Sequence, residues 1–225
     1  MNENVRLLKK SAIIEGLKEE EIELILNSMT KIMYRKGEGI VKKGEFVTHI
    51  LFLVKGYVKI STDYKDKQVI INICGPSTFP GLSSMIGIQN HAFDIGALDD
   101  CVVLLIDIKT IFELIYREGS FSQKIIDNMN ISFQHYLNHN IVSLTKNNIH
   151  GRLAMLLLHL GSHVFCSNNF DLLLSRKELS QFCNISRENV TKILSVFNKE
   201  GIIKLNGKHL QIIHPDQLRH YAEIG

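Results

Sequence analysis

The pattern of apolar and polar positions divides this chain into helical and β-rich stretches. Residues 17–29 place apolar side chains on one face and acidic side chains on the other, which predicts an amphipathic helix. From residue 31 to residue 107, glycines separate short apolar runs that have the composition of strands, namely residues 49–54, 57–61, 69–73 and 101–107. Many short strands at regular intervals are typical of a closed antiparallel barrel or roll, here a β domain of about 80 residues.

Helical spacing returns after residue 107, first in residues 109–116 and then from about residue 120 to residue 146. Apolar residues in the longer stretch recur at steps of three and four, which is the spacing of a coiled-coil seam. The predicted seam consists of Ile125, Met129, Phe133, Tyr136, Leu137 and Leu144. The helix could instead pack only on its own roll, but roughly 26 residues make a helix of about 40 Å, which is too long for so small a roll. We therefore expect a dimer seam.

Two asparagines, Asn147 and Asn148, interrupt the long helical pattern and mark a hinge. Asn148 is suited to cap a helix over residues 149–160, after which residues 162–170 form a predicted polar loop and residues 172–174 a short apolar element. The chain is thus expected to have an α+β fold in three parts. These are a β domain with an N-terminal helix over residues 1–119, a dimerisation helix over residues 120–147 and a compact unit over residues 148–225.

The last of these parts carries the signals of a helix-turn-helix. Ser175 and Glu178 form a capping box that opens a short helix ending near residue 182. Asn184 then stands where the turn needs a residue that tolerates a left-handed backbone. Ser186 caps the second helix. The expected apolar contacts between the two helices come from Leu179, Ile185, Val190 and Ile193.

The first side chains of the second helix suit the DNA major groove, and they are Arg187, Glu188, Asn189, Thr191 and Lys192. Arginine can bond to guanine O6 and N7, and glutamate can accept from cytosine N4. An ordinary solvated helix face is the alternative interpretation. A hairpin over residues 202–213, whose tip Asn206-Gly207-Lys208 has the signature of a type I′ turn, would add a wing. Together these features predict a winged helix-turn-helix that binds DNA.

Residues 174–203, LSRKELSQFCNISRENVTKILSVFNKEGII, resemble the DNA-binding domain of the Crp-Fnr family, named for the catabolite activator protein and the fumarate-nitrate regulator. Residues 35–60, with KGEGIVKKGE followed by ILFLVKGYVKI, resemble the family's effector roll, and Gly151-Arg152-Leu153-Ala154 resembles its hinge-proximal helix. The resemblance implies a cyclic-nucleotide-binding-like double-stranded β-roll (jelly roll), a long dimerisation helix and a C-terminal winged helix-turn-helix. It also implies a homodimeric bacterial transcription regulator that binds near-palindromic sites in double-stranded DNA.

The same resemblance gives roles to individual residues of the DNA-binding unit. It places Arg187 and Glu188 on the base-reading pair and Lys192 on a second basic contact. It places Arg176 and Ser186 on phosphate contacts, and we expect Ser175 and Lys208 to contact phosphates as well. RNA polymerase would be a further partner if the protein is an activator, and the sequence leaves activation and repression open.

The effector domain departs from the nucleotide-binding pattern of the family at two places. Cyclic-nucleotide rolls use a Gly-Glu-Leu turn and an Arg-Ser or Arg-Thr pair, whereas this chain has Gly81-Leu82-Ser83 and His91-Ala92-Phe93. Because the arginine that pairs with the phosphate is missing, cyclic AMP is not the expected ligand. The predicted effector pocket consists of Gly81, Leu82, Ser83, His91, Ala92, Leu137 and Asn138.

The cysteines and histidines of the chain bear on two other cofactors, an iron–sulfur cluster and haem. The iron–sulfur branch of the family has an N-terminal cluster of cysteines. No cysteine precedes Cys74 in this chain, so an iron–sulfur cluster is not expected. Haem stays open, which would make the protein a gas or redox sensor of the same family, and the conceivable axial ligands are His49, Cys74, Met85 and His91. An unidentified small effector and an empty roll also stay open. The cofactor is therefore unknown at this point.

The net charge and the spacing of the cysteines add two expectations. The net charge of +3 comes from residues 148–225, which hold nine Lys and Arg against six Asp and Glu. So small an excess suggests that useful DNA affinity requires a dimer. The four cysteines are spaced neither as a metal site nor as a disulfide framework, so we expect reduced thiols.

Membrane and enzyme functions are not expected. No apolar run approaches the roughly 18 residues of a membrane span, and the N-terminus lacks the apolar stretch of a signal peptide, so we expect a cytoplasmic protein without a membrane partner. A metal-dependent jelly-roll enzyme is the alternative from a different class. It would need clustered His and carboxylate ligands in the roll, and His49 and His91 are isolated in the sequence. The protein is thus not expected to be an enzyme.

Overall fold

The structure is a computed structural model that describes residues 3–65, 67–85, 90–137 and 148–224. The chain folds as two compact units. The first comprises Met1–Thr62 and Asn72–Gln134, and the second comprises Asp63–Ile71 and His135–Gly225. No helix in the described part of the chain is long and apolar enough to span a membrane.

The strands of the predicted roll form two antiparallel sheets. In chain order the N-terminal elements are helices α1 (Glu3–Lys9) and α2 (Glu19–Asn27), strands β1 (Met29–Tyr34), β2 (Gly39–Val41), β3 (His49–Lys55), β4 (Val58–Tyr64), β5 (Lys67–Cys74), β6 (Asp94–Ala97) and β7 (Cys101–Asp107), and helices α3 (Ile108–Arg117) and α4 (Gly119–Tyr136). One sheet has the strand order β1-β7-β3 and the other has the order β2-β6-β4-β5. The predicted combination of a roll with flanking helices is confirmed.

Strands β3 and β7 are apolar on both faces because each face meets a different core. Ile50 and Phe52 of β3 point toward a core that includes side chains of the four helices, such as Ile25 and Phe121. Leu51 and Leu53 alternate with them and enter a second, all-apolar core inside the roll. A strand that is buried on both sides needs a continuous apolar run rather than an alternating one, which explains the sequence of residues 50–54.

Two boundaries in the first unit differ from the sequence prediction. The amphipathic helix expected over residues 17–29 is α2, which begins at Glu19 because the Glu21 carboxylate accepts the Lys18 backbone N–H at 2.7 Å. Met29 belongs to β1 instead, where it lies opposite Ile106. Its apolar side chain satisfies the helix pattern and the strand pattern equally well, so spacing alone could not place it.

Helix α4 carries only part of the predicted seam on its exposed surface. Ile125 is 2% exposed and belongs to the core that α4 forms with the roll, and Met129 packs against the same core. Phe133 is 57% exposed, as a seam residue should be, and Leu137 is half-buried. The assignment of Ile125 to a seam therefore disagrees with its burial. The side chain of Tyr136, and residues Asn138, Leu144 and Asn147, lie outside what the structure describes.

The C-terminal elements form helices around a small sheet. They are α5 (Ile149–His159), a π-helical turn (Leu160–Val164), β8 (Asn169–Asp171), α6 (Arg176–Cys183), α7 (Arg187–Lys199), β9 (Ile203–Asn206), β10 (His209–Ile212) and α8 (Pro215–Ile224). The predicted cap of α5 is confirmed, since the Asn148 side chain accepts the His150 backbone N–H at 2.9 Å.

The region of the wing differs from its prediction in the loop over residues 162–170 and in the type of the hairpin turn. Residues 162–170 were expected to form a polar loop, but they include part of the π-helical turn and of β8, in which the buried Phe170 pairs with Leu210. The apolar element at residues 172–174 is not part of a strand; Leu172 and Leu174 are buried, and the Leu172 backbone N–H donates to the Lys208 carbonyl at 2.8 Å. At the hairpin tip Asn206 pairs with His209, and Gly207 is the residue with positive φ (61°), which corresponds to a type II′ turn and not to type I′.

Candidate nucleic-acid interface

The turn between α6 and α7 has the backbone geometry of a helix-turn-helix. Ser175 caps α6 by accepting the Glu178 N–H at 3.2 Å, and the Glu178 carboxylate accepts the Ser175 N–H at 2.9 Å, which confirms the capping box. Asn184 ends α6 in the left-handed region, with φ 50° and ψ 49°. The Ile185 N–H then donates to the Ser180 carbonyl at 3.2 Å. Only three residues, Asn184, Ile185 and Ser186, thus separate α6 from α7.

Helix α7 separates a buried face from an exposed one within its first two turns. Val190 and Ile193 are at most 2% exposed and face the other helices of the unit. Arg187, Glu188 and Lys192 are exposed, as is Thr191, and Asn189 is half-buried. The structure therefore brings the predicted base-reading residues together on one end of one helix, which is the end that a recognition helix inserts into the major groove.

Hydrogen bonds at the N-terminus of α7 favour the charged form of the Glu188 carboxyl, which can accept hydrogen bonds. The Ser186 hydroxyl accepts the Asn189 N–H at 3.2 Å and caps the helix. The Glu188 carboxylate accepts hydrogen bonds from its own backbone N–H and from the Ser186 side chain, which lower the pKa of this fully exposed carboxyl. Ser186 is thereby committed to the helix start, so a phosphate contact at this position would come from free backbone N–H groups as well as from the hydroxyl.

The other predicted contact residues differ in their exposure and in the hydrogen bonds that their side chains already make within the protein. The Thr191 hydroxyl donates to the Arg187 carbonyl at 3.1 Å, which leaves its oxygen as an acceptor. The Ser175 hydroxyl is used by Glu178 at 2.8 Å. Arg176 is half-buried, and this burial lowers the pKa of its guanidinium, whereas Lys208 is exposed at the hairpin tip.

Arg152 of α5 is a functional candidate that the sequence pattern did not single out. Its guanidinium Nη1 donates to the carbonyl of Asn184 at 3.3 Å, and the Cys183 thiol donates to the Arg152 carbonyl at 3.8 Å. Burial raises the pKa of this Cys183 thiol to about 12, so the thiol stays protonated and available as a donor. The turn of the helix-turn-helix is therefore bonded to α5. An arginine in a helix gives no sequence signal for such a contact.

Ser84, which is not among the predicted effector residues, joins two of the segments that contribute to the predicted pocket, and Asn138 of that pocket lies outside the described residues. Ser84 is 3% exposed, and its hydroxyl accepts the Ala92 backbone N–H at 3.3 Å, which joins the 3₁₀ turn Leu82–Met85 to the segment that starts at His91. Ser83 is exposed, and Leu82 is buried in the helix-side core. A Cβ on Gly81 would lie 2.9 Å from Ile95 Cδ1, so this backbone lies against the roll interior.

His91 is a buried, uncharged group at the position where nucleotide-binding relatives are expected to have arginine. Its side chain is 8% exposed, and Nδ1 has no hydrogen-bond partner. Its backbone is fixed by the Glu45 carbonyl at 2.8 Å and by the Gly44 N–H at 2.9 Å. Burial lowers the pKa of His91, and the negative charge of Glu45 opposes that effect without reversing it.

This burial predicts that the roll loses stability in mild acid. The unfolded chain exposes His91 with its usual pKa of 6.5, and the folded chain holds it lower, so the unfolded state binds the proton first. The free energy of unfolding should therefore fall as the pH drops below about 6.5. Urea titrations between pH 8 and pH 5 would measure this slope. His91→Gln should flatten it, while His220→Gln, at an exposed position, should leave it unchanged. An unchanged slope in His91→Gln would contradict the prediction.

The conceivable haem ligands do not converge on one site. Met85 is buried in the helix-side core, and the His49 ring lies 2.9 Å from the Thr48 hydroxyl. Cys74 packs against the core inside the roll, where burial raises the pKa of its thiol to about 12 and disfavours the thiolate that binds a metal. Among the described residues, no group of three or more His, Cys, Asp or Glu side chains could hold a metal ion.

Known proteins resemble this chain over most of its length. A "CRP-like cAMP-activated global transcriptional regulator" from Mycobacterium tuberculosis is 22% identical over 221 residues, which cover 96% of this chain and 98% of the relative. The electron transport regulator A of Shewanella oneidensis is 26% identical over 195 residues, covering 82% and 75%. The structure of FixK2 from Bradyrhizobium japonicum superposes with a TM-score of 0.78 at 19% identity, covering 86% of this chain and 96% of that one.

Family comparisons agree with the fold and with the site. Residues 31–118 match the cyclic nucleotide-binding domain, and residues 151–221 match the Crp-like helix-turn-helix domain. The two matches and the geometry of α6 and α7 define a DNA-binding transcription regulator with an effector-type roll. The chain belongs to the Crp-Fnr family of transcription regulators. Its relatives are regulators and not enzymes.

Proposed function

We propose that this Crp-Fnr regulator binds a near-palindromic operator as a homodimer, with the N-terminal turns of α7 from each subunit in the major groove. The observation that carries the proposal is the group of exposed side chains Arg187, Glu188 and Lys192 at the capped start of α7. Arginine is a bidentate donor to guanine, and a charged glutamate is an acceptor for cytosine N4. Arg176 and Lys208 would contact the flanking phosphates and set the register.

The exposed face of α4 supports pairing of two subunits. Ile126 is 56% exposed and Phe133 is 57% exposed, and their spacing of seven positions places both side chains on the same face of the helix. Met129 lies at the edge of that face and is half-buried, because it also packs against the core that α4 forms with the roll. Large apolar side chains that are exposed at this spacing are typical of a helix that pairs with another helix. The proposed seam is accordingly centred on Ile126 and Phe133, and Ile125 is assigned to the roll.

The effector of this roll is proposed to be a molecule other than a cyclic nucleotide. The phosphate of a cyclic nucleotide needs a permanent positive charge, and His91 is kept neutral by its burial. The ribose hydroxyl needs an acceptor, and Leu82 presents only buried apolar atoms. The M. tuberculosis relative is a cAMP-activated regulator, so the two proteins would differ in ligand. A bound effector would act by favouring one arrangement of the dimer over another.

The proposal is tested by selecting bound duplexes from a random double-stranded library with the full chain. We expect enrichment of an inverted repeat whose half-site centres lie about 10 base pairs apart. Absence of any enriched sequence would overturn the proposal. Addition of cyclic AMP should leave the affinity for the selected operator unchanged, and a change would refute the effector assignment. RNA polymerase would be a partner only where the operator lies beside a promoter and not across it.

The seam is tested separately by a charged substitution. Phe133→Asp places a carboxylate on the exposed apolar stripe, so burying it in a dimer would cost several kcal/mol. We expect the variant to sediment as a monomer at about 10 µM, where the wild type is a dimer, and to lose operator affinity in parallel. Gln134→Asp adds the same charge at the adjacent exposed position and should stay dimeric. A dimer of unchanged mass in Phe133→Asp would disprove the seam.

A further inference from the structure

We propose that helix α5 holds the recognition helix α7 at both ends, so that the two helices turn as one rigid body. Arg152 provides the attachment at the start of α7, and Tyr221 provides the attachment at its end. Both are positioning residues for DNA recognition and touch no base. This inference rests on the proposed function, because it concerns how the two recognition helices of a dimer are oriented.

The first attachment lies at the turn that precedes α7. Arg152 Nη1 donates to the Asn184 carbonyl at 3.3 Å, and the Cys183 thiol donates back to the Arg152 carbonyl. Asn184 is two residues before the cap of α7, Ser186. Since Asn184 adopts the left-handed conformation, its carbonyl lies outside the helix ladder and is free to accept from α5. Arg152 therefore holds the start of the recognition helix.

The second attachment joins the first turn of α5 to the C-terminal end of α7 through α8. The rings of His150 and Tyr221 stack with their centroids 6.2 Å apart, and Phe197 of α7 lies 5.0 Å from Tyr221 and 6.3 Å from His150. The Tyr221 hydroxyl donates to a Glu200 carboxylate oxygen at 3.0 Å, and Glu200 is the C-cap of α7. This bond stabilises the neutral phenol, and it raises the pKa of Tyr221.

The two attachments are far apart on α7 but close together on α5. Helix α7 has 13 residues and is therefore about 20 Å long. His150 and Arg152, in contrast, belong to the same turn of α5, directly after the cap Asn148. A rod that is fixed at both ends to one short segment cannot tilt independently of it. Any rotation of the first turn of α5 is therefore passed to the whole recognition helix.

The consequence is a strict requirement for the distance between half-sites. Changing the distance by one base pair rotates one half-site by about 35° relative to the other. A rigidly held pair of recognition helices cannot follow that rotation, so the wild type should lose at least about tenfold in affinity on either altered operator. When an attachment is removed, α7 can adjust, and the penalty should fall to about threefold.

The experiment measures binding of the full-length protein to three operators, with native, lengthened and shortened spacing. Arg152→Met keeps the aliphatic stem and removes the donor, and Tyr221→Ala removes the stacked ring. Tyr221→Phe keeps the ring and loses only the bond to Glu200, so it tests the attachment even if Tyr221→Ala does not fold. Glu200→Gln keeps an acceptor and should preserve the wild-type spacing penalty. Arg219→Ala, at an exposed α8 position that bonds to Asp216, should also preserve it.

The outcomes separate the inference from the proposed function. A smaller spacing penalty in Arg152→Met and in Tyr221→Phe, with unfolding midpoints within a few degrees of the wild type, supports the inference. Equal loss of affinity on all three operators would show that the two residues are merely structural and would overturn it. If the wild type itself prefers no sequence, the proposed function fails. If the wild type is specific and the variants keep its full penalty, only the inference fails.

Discussion

Arg187→Ala is expected to lose about 1–3 kcal/mol of discrimination between the selected operator and scrambled DNA, which corresponds to a factor of about 5 to 150. Arg187 is exposed in the first turn of α7, where a bidentate contact with guanine would form. Its removal leaves guanine O6 and N7 without their donor, but the phosphate contacts remain. The loss should therefore appear in the ratio of the two affinities and not only in the operator affinity.

The measurement is a fluorescence anisotropy titration of labelled duplexes at one fixed salt concentration, because affinity for DNA depends strongly on salt. Lys199→Ala is the matched control. It removes one positive charge from the exposed last turn of the same helix, far from its N-terminus. This variant should weaken binding to both duplexes by the same factor. If Arg187→Ala also kept the wild-type ratio, the assignment of Arg187 to base contacts would be wrong.

Gly56→Ala is expected to destabilise the roll by about 2–5 kcal/mol, through left-handed strain and through steric overlap. Gly56 joins β3 to β4 with φ +86°, and an added Cβ would lie 2.6 Å from the Asp100 carbonyl oxygen and 2.7 Å from Cys101 Sγ. Neither group can easily move. Cys101 Sγ lies 3.1 Å from the Asp99 carbonyl oxygen and 3.3 Å from the Tyr57 carbonyl oxygen, so its single S–H is held between two acceptors.

Gly37→Ala separates the two contributions. Gly37 has φ +87°, nearly the same as Gly56, but an added Cβ would find nothing within 4 Å. This control should cost only the strain of a left-handed alanine, about 1–2 kcal/mol. Guanidinium unfolding followed by far-UV circular dichroism measures both, since the chain has no Trp for fluorescence. Equal losses in the two variants would show that the neighbours of Gly56 yield to the methyl group.

The helix-turn-helix could be predicted from the sequence because its signals are local. Each signal involves backbone groups no more than four residues away in the sequence. The signals are the capping box of Ser175 and Glu178, the left-handed Asn184 and the cap Ser186. Such signals do not depend on which other segments of the chain lie nearby. The strands of the roll were also recognisable, because glycine-separated apolar runs are visible without knowledge of their partners.

The details that depend on distant partners could not be predicted. Strand β8 contributes one buried apolar residue, Phe170, and exists only because β10 pairs with it some forty residues later in the sequence. Helix α4 has an apolar face toward the roll and another toward the exterior, so spacing alone could not show that Ile125 is buried and Ile126 exposed. The bond between Arg152 and Asn184 likewise joins segments that lie far apart in the sequence.

The two cores of the first unit share the strands β3 and β7, and this has a mechanical consequence. Leu51 and Leu53 face the interior of the roll, while Ile50 and Phe52, their immediate neighbours, face the helices. Densely packed interiors transmit strain with little compression. A molecule that pushed β3 outward from within the roll would therefore displace Ile50 and Phe52, which share the helix-side core with Phe121 and Ile125 of α4. Strand β3 therefore belongs to both cores, and a displacement of the strand by a ligand on one side changes the packing on the other side.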